Sequence, residues 1–351
     1  MMGPDDFHYE LPASAVAQIP LDDRASARLL DAIGGSVVHR TVRDLPSILS
    51  SGDVLVVNDT RVLPARLRLR RPTGGAAEIL LLRPAEEGAT RFVATWEALV
   101  RPSRKLTPGV VLTVADDLVI EVGDDLGEGL RRVTLRTQDG DLMAALDRYG
   151  EVPLPPYLTS GLADPERYQT VFSNRPASAA APTAGLHLTD EVLNDCRALG
   201  ARVEQIELVV GLDTFRPVAV NNLDQHKMHR EEYSVPPEVL EACLDARRGG
   251  SRVVAVGTTT VRALESAIRL GPFGSTDLFI RPPFDFRVVD ILMTNFHMPR
   301  STLLVMLEAF GGPRWKDLYS AALTDGYRFL SFGDAMIVDR ALTMGMTRGN
   351  Q

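Results

Sequence analysis

Cysteine, tryptophan and histidine are scarce in this chain of 351 residues, with two, two and six copies. The two cysteines, Cys196 and Cys243, fall inside amphipathic helical patterns (EVLNDCRAL and PEVLEACLDA), where a small buried thiol is the ordinary reading and a disulfide framework is excluded. No stretch approaches the ~18 uncharged apolar residues that a membrane-spanning helix requires. The opening MMGPDDFHYELP has no cationic segment followed by an apolar run, so a cytosolic protein is expected. A basic excess is missing as well: the net charge is −8, which argues against a protein that coats nucleic acid by counterion release. What remains is the composition of a folded globular chain, 45 % hydrophobic and 24 % charged. Its length suits about two domains.

Several motifs are absent too. No G-x-G-x-x-G follows a strand and no G-x-x-x-x-G-K-[ST] occurs, so neither the dinucleotide-type loop nor the phosphate-cradling loop is written here. G-x-S-x-G, H-E-x-x-H and C-x-x-C are also missing, which removes the usual hydrolase and zinc readings. The nearest metal pattern, His226-Lys227-Met228-His229 with Glu231 and Glu232, would need further ligands, and no metal is expected.

The texture of the chain divides it. A buried strand, Val54-Leu55-Val56-Val57, lies between turn residues Ser51-Gly52-Asp53 and Asn58-Asp59. From about 67 to 137, short β-prone runs (AEILLLR, FVATWEALV, VVLTVA, LVIEV, RRVTLR) alternate with turn clusters, the pattern of a small barrel or sandwich. Helical patterns at 140–148, 189–199, 236–248, 260–270, 301–310 and 314–325 then alternate with strands at 203–210, 252–256, 277–280 and 288–293, which reads as an α/β layer. The expected fold is a discontinuous α/β main domain, 1–66 and 153–351, interrupted by an inserted β-barrel-like domain at 67–152.

Polar clusters stand at strand ends or before helices, where open α/β sheets place ligands. They are Asn58-Asp59-Thr60-Arg61; Thr183-Ala184-Gly185-Leu186-His187; Gly257-Thr258-Thr259-Thr260-Val261-Arg262; Thr294-Asn295-Phe296-His297 with Arg300; and His226 to Glu232. Singly, each has a bland explanation as a turn, a cap or a satisfied core histidine. Together they suggest a polar, convergent pocket with acid–base chemistry and an anion-binding helix start. Arg61, Arg66, Arg68, Arg70 and Arg71 crowd one segment and Arg101, Arg104 and Lys105 another; each is either a solvated face or a local basic groove.

Read in order, these segments resemble the S-adenosylmethionine:tRNA ribosyltransferase-isomerases of queuosine biosynthesis along nearly the whole chain. The resemblance is carried by DFHYELP, AQIPLDDR, GDVLVVNDTRVLPARL, WEALVRPSRKL, GEVPLPPYL, RYQTVF, AAPTAGLHLT, GLDTFRPV, HKMHREEY, VVAVGTTTVRALES, TDLFI, VVDILMTNFHMPRSTLL and GYRFLSFGDAMI. It implies the fold just described and a reaction in which S-adenosylmethionine donates its ribosyl unit to 7-aminomethyl-7-deazaguanine at the tRNA wobble position. The unit rearranges to an epoxycyclopentanediol, giving epoxyqueuosine, while adenine and methionine leave. S-adenosylmethionine is then a co-substrate and no cofactor is implied; a monomer and no membrane are expected.

That chemistry needs a base for the 5′ methylene beside the sulfonium and an acid for the departing adenine. His187 and His297 are the candidates, with either assignment open, and Asp59 is the reserve base. Substrate contacts are expected from Asn58, Thr60, Arg61, Thr183, Gly185, Thr258, Thr259, Thr260, Arg262, Asn295, Phe296 and Arg300, with the arginines and threonines holding the methionine carboxylate or a phosphate. Phe296, Tyr327 and Phe215 are candidate platforms for a base drawn out of its stack. Arg66, Arg68, Arg70, Arg71, Arg101, Arg104 and Lys105 would meet RNA phosphates. The chain departs from the family pattern where a histidine has become Val209 and a glycine Asp213, and where Arg281-Pro282-Pro283-Phe284 replaces Tyr-Pro-Gly-Tyr. Those departures keep two alternatives open: a relative that cleaves S-adenosylmethionine but acts on another nucleobase or small molecule, and a non-catalytic RNA- or nucleoside-binding protein.

Overall fold

The computed structural model describes residues 2–85, 90–115, 117–138, 140–211, 218 and 220–341. Phe215, Asp213 and Thr214 lie outside them.

The sheet that organises the main domain has nine strands. Its centre is four neighbouring parallel strands, in spatial order Arg202–Leu208, Val54–Asn58, Val253–Val256 and Ile291–Asn295. Val54–Asn58 and Val253–Val256 are buried throughout, because helices cover both faces and leave no side for water. The pleat sorts their side chains: Val54, Val56, Val253 and Ala255 join one core, and Leu55, Val57, Val254 and Val256 join the core on the opposite face. The larger of these cores receives the helices Thr258–Leu270, Pro237–Arg248, Thr302–Gly311 and Trp315–Thr324; the smaller receives Asp190–Ala198. Beyond the parallel strands, Ala335–Asp339 runs antiparallel to Ile291–Asn295, followed by Arg28–Asp31 and Val38–Thr41.

The β-rich segment forms a separate six-stranded antiparallel sheet. Its strands are Arg66–Arg70, Ala76–Pro84, Val93–Arg101, Leu130–Thr137, Leu118–Gly127 and Val111–Ala115, in that spatial order. The first and last approach one another, so the sheet curls into a nearly closed barrel with few exposed edges. Its own core runs from Leu63 to Leu146 and is plugged by Leu142, Ala145 and Leu146 of the helix Leu142–Tyr149.

All six helical patterns fold as helices. The strand expected at 277–280 is displaced: Phe273–Thr276 forms the edge of the sheet beside Glu231–Ser234, and 277–280 is a loop that inserts Ile280 into the core. The short strands Arg28–Asp31, Val38–Thr41 and Ala335–Asp339 went unread because each is only four or five residues long and depends on distant partners. No helix among the described residues is long and apolar enough to cross a membrane.

Candidate active site at the carboxyl edge of the sheet

Parallel strands end together, so Asn58, Leu208, Val256 and Asn295 bring their following residues to one edge of the sheet. Ala335, opposite Asn295, starts its strand there, which places Ser331 and Asp334 at the same edge.

Asn295 is the hub. Its amide is buried, its Oδ1 accepts from Thr183 Oγ1 at 2.8 Å, and its Nδ2 donates to the Leu330 carbonyl at 3.2 Å and lies 3.1 Å from His187 Nε2. A carbonyl oxygen can only accept, so the Leu330 contact fixes which end of the amide is nitrogen. The amide's second N–H then points at His187 Nε2, which must accept it; the neutral imidazole carries its proton on Nδ1. Leu330 reaches this position with φ of 69°, a left-handed conformation that is strained for a leucine.

His187 ends the short turn Thr183–His187, just before the helix that Thr189 caps by accepting from Val192 N–H. Burial, reinforced by the positive charges of Arg328 and Arg24, pushes its pKa down to about 4. His297 lines a cavity together with Asn295, with its Nε2 2.9 Å from Thr294 Oγ1, its backbone N–H donating to Tyr319 Oη and its carbonyl accepting from Tyr9 Oη. Burial alone pushes its pKa down to about 3. Two cavities flank the pair. One, about 30 Å³, is lined by Tyr157, Thr183, Asn295, His297, Ser301 and Ser331 among others; the other, about 20 Å³, by Arg24, Arg167, His187 and Ser331. Each has room for about one water. Ser331 separates them and is held by Tyr157 Oη at 2.6 Å.

The other residues singled out in the sequence divide by whether their polar atoms are already engaged. Asn58 is spent on the sheet: its side chain bonds both backbone groups of Leu208 and the N–H of Thr60. Thr60 bonds Ser178 Oγ at 2.7 Å, and Thr260 donates to the Val256 carbonyl one turn back. Gly185 is a packing glycine, since a Cβ there would lie 2.9 Å from the Phe172 ring. Phe296 is wholly buried among Tyr319, Tyr327 and Phe329, with no free face for a base. Tyr327 is buried as well, under the Arg28 guanidinium. Arg300 is at the surface, paired with Asp5 at 2.9 Å, and lines neither histidine cavity.

At the start of the helix Thr258–Leu270, Thr258 is buried, and the buried Thr259 Oγ1 has no partner. Gly257 begins this helix at φ of 91°, a conformation that favours glycine. Four residues on, Arg262 is buried against Glu231, whose other oxygen accepts from Gly211 N–H at 3.0 Å. Arg262 donates Nε to the Leu278 carbonyl, while its Nη2 is buried without a partner among the described residues. His226, from the same histidine-rich segment as Glu231, packs against Phe279. Asp59 stands apart from the histidines and lines neither of their cavities; burial, then the neighbouring Glu207, raises its pKa.

The basic segments meet at the barrel. A groove of about 1090 Å³ between the barrel and residues 150–176 is lined by Arg61, Arg66, Arg68 and Arg101. A neighbouring concavity of about 1010 Å³ shares Arg68 and Arg101 and adds Arg104 and Lys105. Within this strip Arg61 pairs with Glu166 and Arg68 with Glu151. Arg70 donates to the Gly74 carbonyl at 3.3 Å, and the Arg71 Nε is buried without a partner. Sequence reasoning passed over Tyr157, Arg24, Arg167, Arg328 and Ser331. Each falls in one of the stretches that carry the family resemblance, which was the available signal.

The model of the family described as queuosine biosynthesis protein matches residues 4–338. An S-adenosylmethionine:tRNA ribosyltransferase-isomerase of Thermus thermophilus is 48 % identical, over 96 % of this chain and 100 % of its own length. One from Azoarcus sp. is 47 % identical, over 95 % of this chain and 97 % of its own. Among solved structures, the S-adenosylmethionine tRNA ribosyltransferase of Thermotoga maritima superposes with a TM-score of 0.53 at 35 % identity, covering 95 % of this chain and 99 % of that one.

Two outcomes follow from this geometry. Replacing Asn295 by Asp removes the donor to His187 Nε2, so the ring turns to its Nε2–H tautomer, visible in the ¹⁵N shifts of the imidazole. Asn295→Ala leaves buried partners of the amide unpaired and costs about 1–3 kcal/mol in chemical denaturation. The second concerns pH. Above 6.5 both histidines are neutral in the folded and unfolded chains; below it the unfolded chain takes up protons that the folded one refuses until about 4 at His187 and about 3 at His297. Stability therefore falls as pH falls through that window, by up to about 1.4 kcal/mol per pH unit for each histidine. His297→Gln should flatten the slope of unfolding free energy against pH between 6 and 4.

Proposed function

The chain belongs to the queuosine biosynthesis protein family, and from that membership we propose that it is itself an S-adenosylmethionine:tRNA ribosyltransferase-isomerase. The donor is S-adenosylmethionine, used as a co-substrate. The acceptor is the aminomethyl nitrogen of 7-aminomethyl-7-deazaguanine at the wobble position, and the product is epoxyqueuosine. The supporting observation is the pair of buried histidines at the carboxyl edge of the sheet, His187 bonded to Asn295 and His297 lining a cavity with it.

Their surroundings divide the labour. His187 has Nε2 occupied by the Asn295 amide, so it meets substrate through Nδ1–H, as a donor that polarises the departing adenine or ring oxygen. His297 takes the complementary role, removing the proton acidified by the sulfonium. Asp59, which lines neither cavity, is left as the reserve. Neutral imidazoles suit this task, because a protonated ring would repel the sulfonium. Arg262 and Thr259, each with a buried polar atom lacking a partner, are the best placed of the polar residues to hold the methionine carboxylate at the helix start. Asn58, Thr60 and Thr260 shape this edge without reaching substrate.

For the tRNA, the strip formed by Arg66, Arg68, Arg101, Arg104 and Lys105 supplies phosphate contacts along the barrel. Arg61 lies where this strip meets the main domain. The net charge of −8 confines attraction for RNA to such a strip.

Purified protein should release adenine from S-adenosylmethionine only with tRNA carrying the aminomethyl-deazaguanine, and the digested tRNA should gain the mass of epoxyqueuosine. Release that ignores the tRNA would instead identify a relative with another acceptor. His187→Ala and His297→Ala should each lower kcat by about 10²–10⁴-fold with an unchanged circular dichroism spectrum. Charge reversal at Arg66, Arg101 and Arg104 should raise the Kd for tRNA and flatten its salt dependence by about 0.7–0.9 for each phosphate no longer neutralised, leaving S-adenosylmethionine binding unaltered.

A further inference from the structure

Three guanidinium groups that the reaction has not used lie about His187: Arg24 and Arg167 line its cavity, and Arg328 adds its positive charge to the field on the ring. Arg24 donates to the carbonyls of Gln169, Leu186 and Glu166 at 2.7, 3.2 and 2.9 Å. Arg167 donates to the carbonyls of Leu21 and Asp22, and Arg328 to that of Ile19. All three thus strap the 19–24 segment to the edge where His187 sits. None has a carboxylate within ion-pair distance among the described residues.

The acids nearby are committed elsewhere. Asp23 pairs with Arg43, Glu166 with Arg61, and Asp334 accepts from the backbone N–H groups of Arg28 and Arg328. Asp164 caps the turn after it by accepting from Glu166 N–H. Arg167 Nε and Arg328 Nη1 are buried and have no hydrogen-bond partner among the described residues. Arg24 and Arg167 repel one another, Asp164, Glu166 and Asp334 offset the positive charge only from beyond ion-pair distance, and two buried N–H donors are left without an acceptor among the described residues. The remedy for both deficits is an oxygen anion.

We propose that Arg24, Arg167 and Arg328 form an oxyanion site beside His187, which takes one non-bridging oxygen edge of a phosphate or carboxylate. The cavity between Arg24, Arg167 and His187, about 20 Å³, accommodates one such corner with the rest of the group outside. Which group it is rests on the substrates proposed above: a phosphodiester of the tRNA strand, or the carboxylate of S-adenosylmethionine, which would then take that role away from Arg262 and Thr259. Arg24 binds the main chain of Glu166 and Gln169, whose side chains line the large basic groove, so an RNA strand in that groove passes close to the site. An anion held there also offsets the positive field on His187 and raises that ring's proton affinity.

The test uses the full-length protein and inorganic phosphate, with the His187 ring resonances as the readout. Phosphate should shift those resonances saturably and raise the pH at which the ring titrates, while His297 is unmoved. Arg167→Gln and Arg328→Gln should each weaken phosphate binding about tenfold or more. A variant that melts early is set aside in favour of competition on the wild-type protein. Displacement of phosphate by unmodified tRNA but not by S-adenosylmethionine identifies a phosphodiester site; the reverse identifies a carboxylate site. No saturable shift at His187, or displacement by neither ligand, overturns the proposal. Because phosphate binding needs no turnover, failure of adenine release with this site intact would count against the proposed reaction alone.

Discussion

A polar group buried at the edge of a sheet must find a partner or leave a deficit, and this constraint sorts the residues at the carboxyl edge. The sheet edge and the turn Thr183–His187 bring Asn58, Thr60, Thr260, Asn295 and two histidines into a buried environment. Leaving one such group unpaired costs about 1–3 kcal/mol, comparable to a sizeable part of a domain's net stability. Most are therefore satisfied by neighbours: Asn58 replaces a missing rung beside Leu208, and Thr260 bonds back to the last carbonyl of the preceding strand. The Asn295 amide is paired on three sides, and in being paired it dictates the protonation of His187. Stability and chemistry are thus set by one side chain.

The same constraint gives meaning to the groups that remain unpaired. Thr259 Oγ1, Arg262 Nη2, Arg167 Nε and Arg328 Nη1 are buried without partners, and all four lie at or near this edge. Arg262 illustrates the balance. It is neutralised by Glu231, which itself anchors Gly211, so the pair holds the strand that departs from the family pattern at Val209 while one N–H is left over. The inserted barrel contributes differently. Its core is independent of the two cores on the large sheet, so it can present arginines on its outer face without disturbing the packing around the histidines.

Much of this was legible in the amino-acid order. Alternation and turn residues marked the barrel strands, and helical periodicity marked all six long helices, because those signals are local. His187, Asn295 and His297 were legible as polar residues at the ends of apolar runs. Phe296 shows the limit: an aromatic between two such residues looks like a stacking platform, yet the pleat turns it into the core with Tyr319 and Phe329. Asn58, Thr60 and Thr260 looked equally chemical, and only their partners reveal that they are structural.

Composition, periodicity and motif order by themselves determined the α/β layer, the inserted barrel and the family, since each is a property of neighbours along the chain. The tertiary structure alone decided which polar groups are spent and which are free. It alone placed the Leu330 carbonyl, 35 positions from Asn295, where it fixes the amide and through it the proton on His187. It also gathered Arg24, Arg167 and Arg328 from three distant segments around one imidazole. The physical reason is that hydrogen bonds and charges act through space at a few ångströms, and which residues come that close is settled by packing.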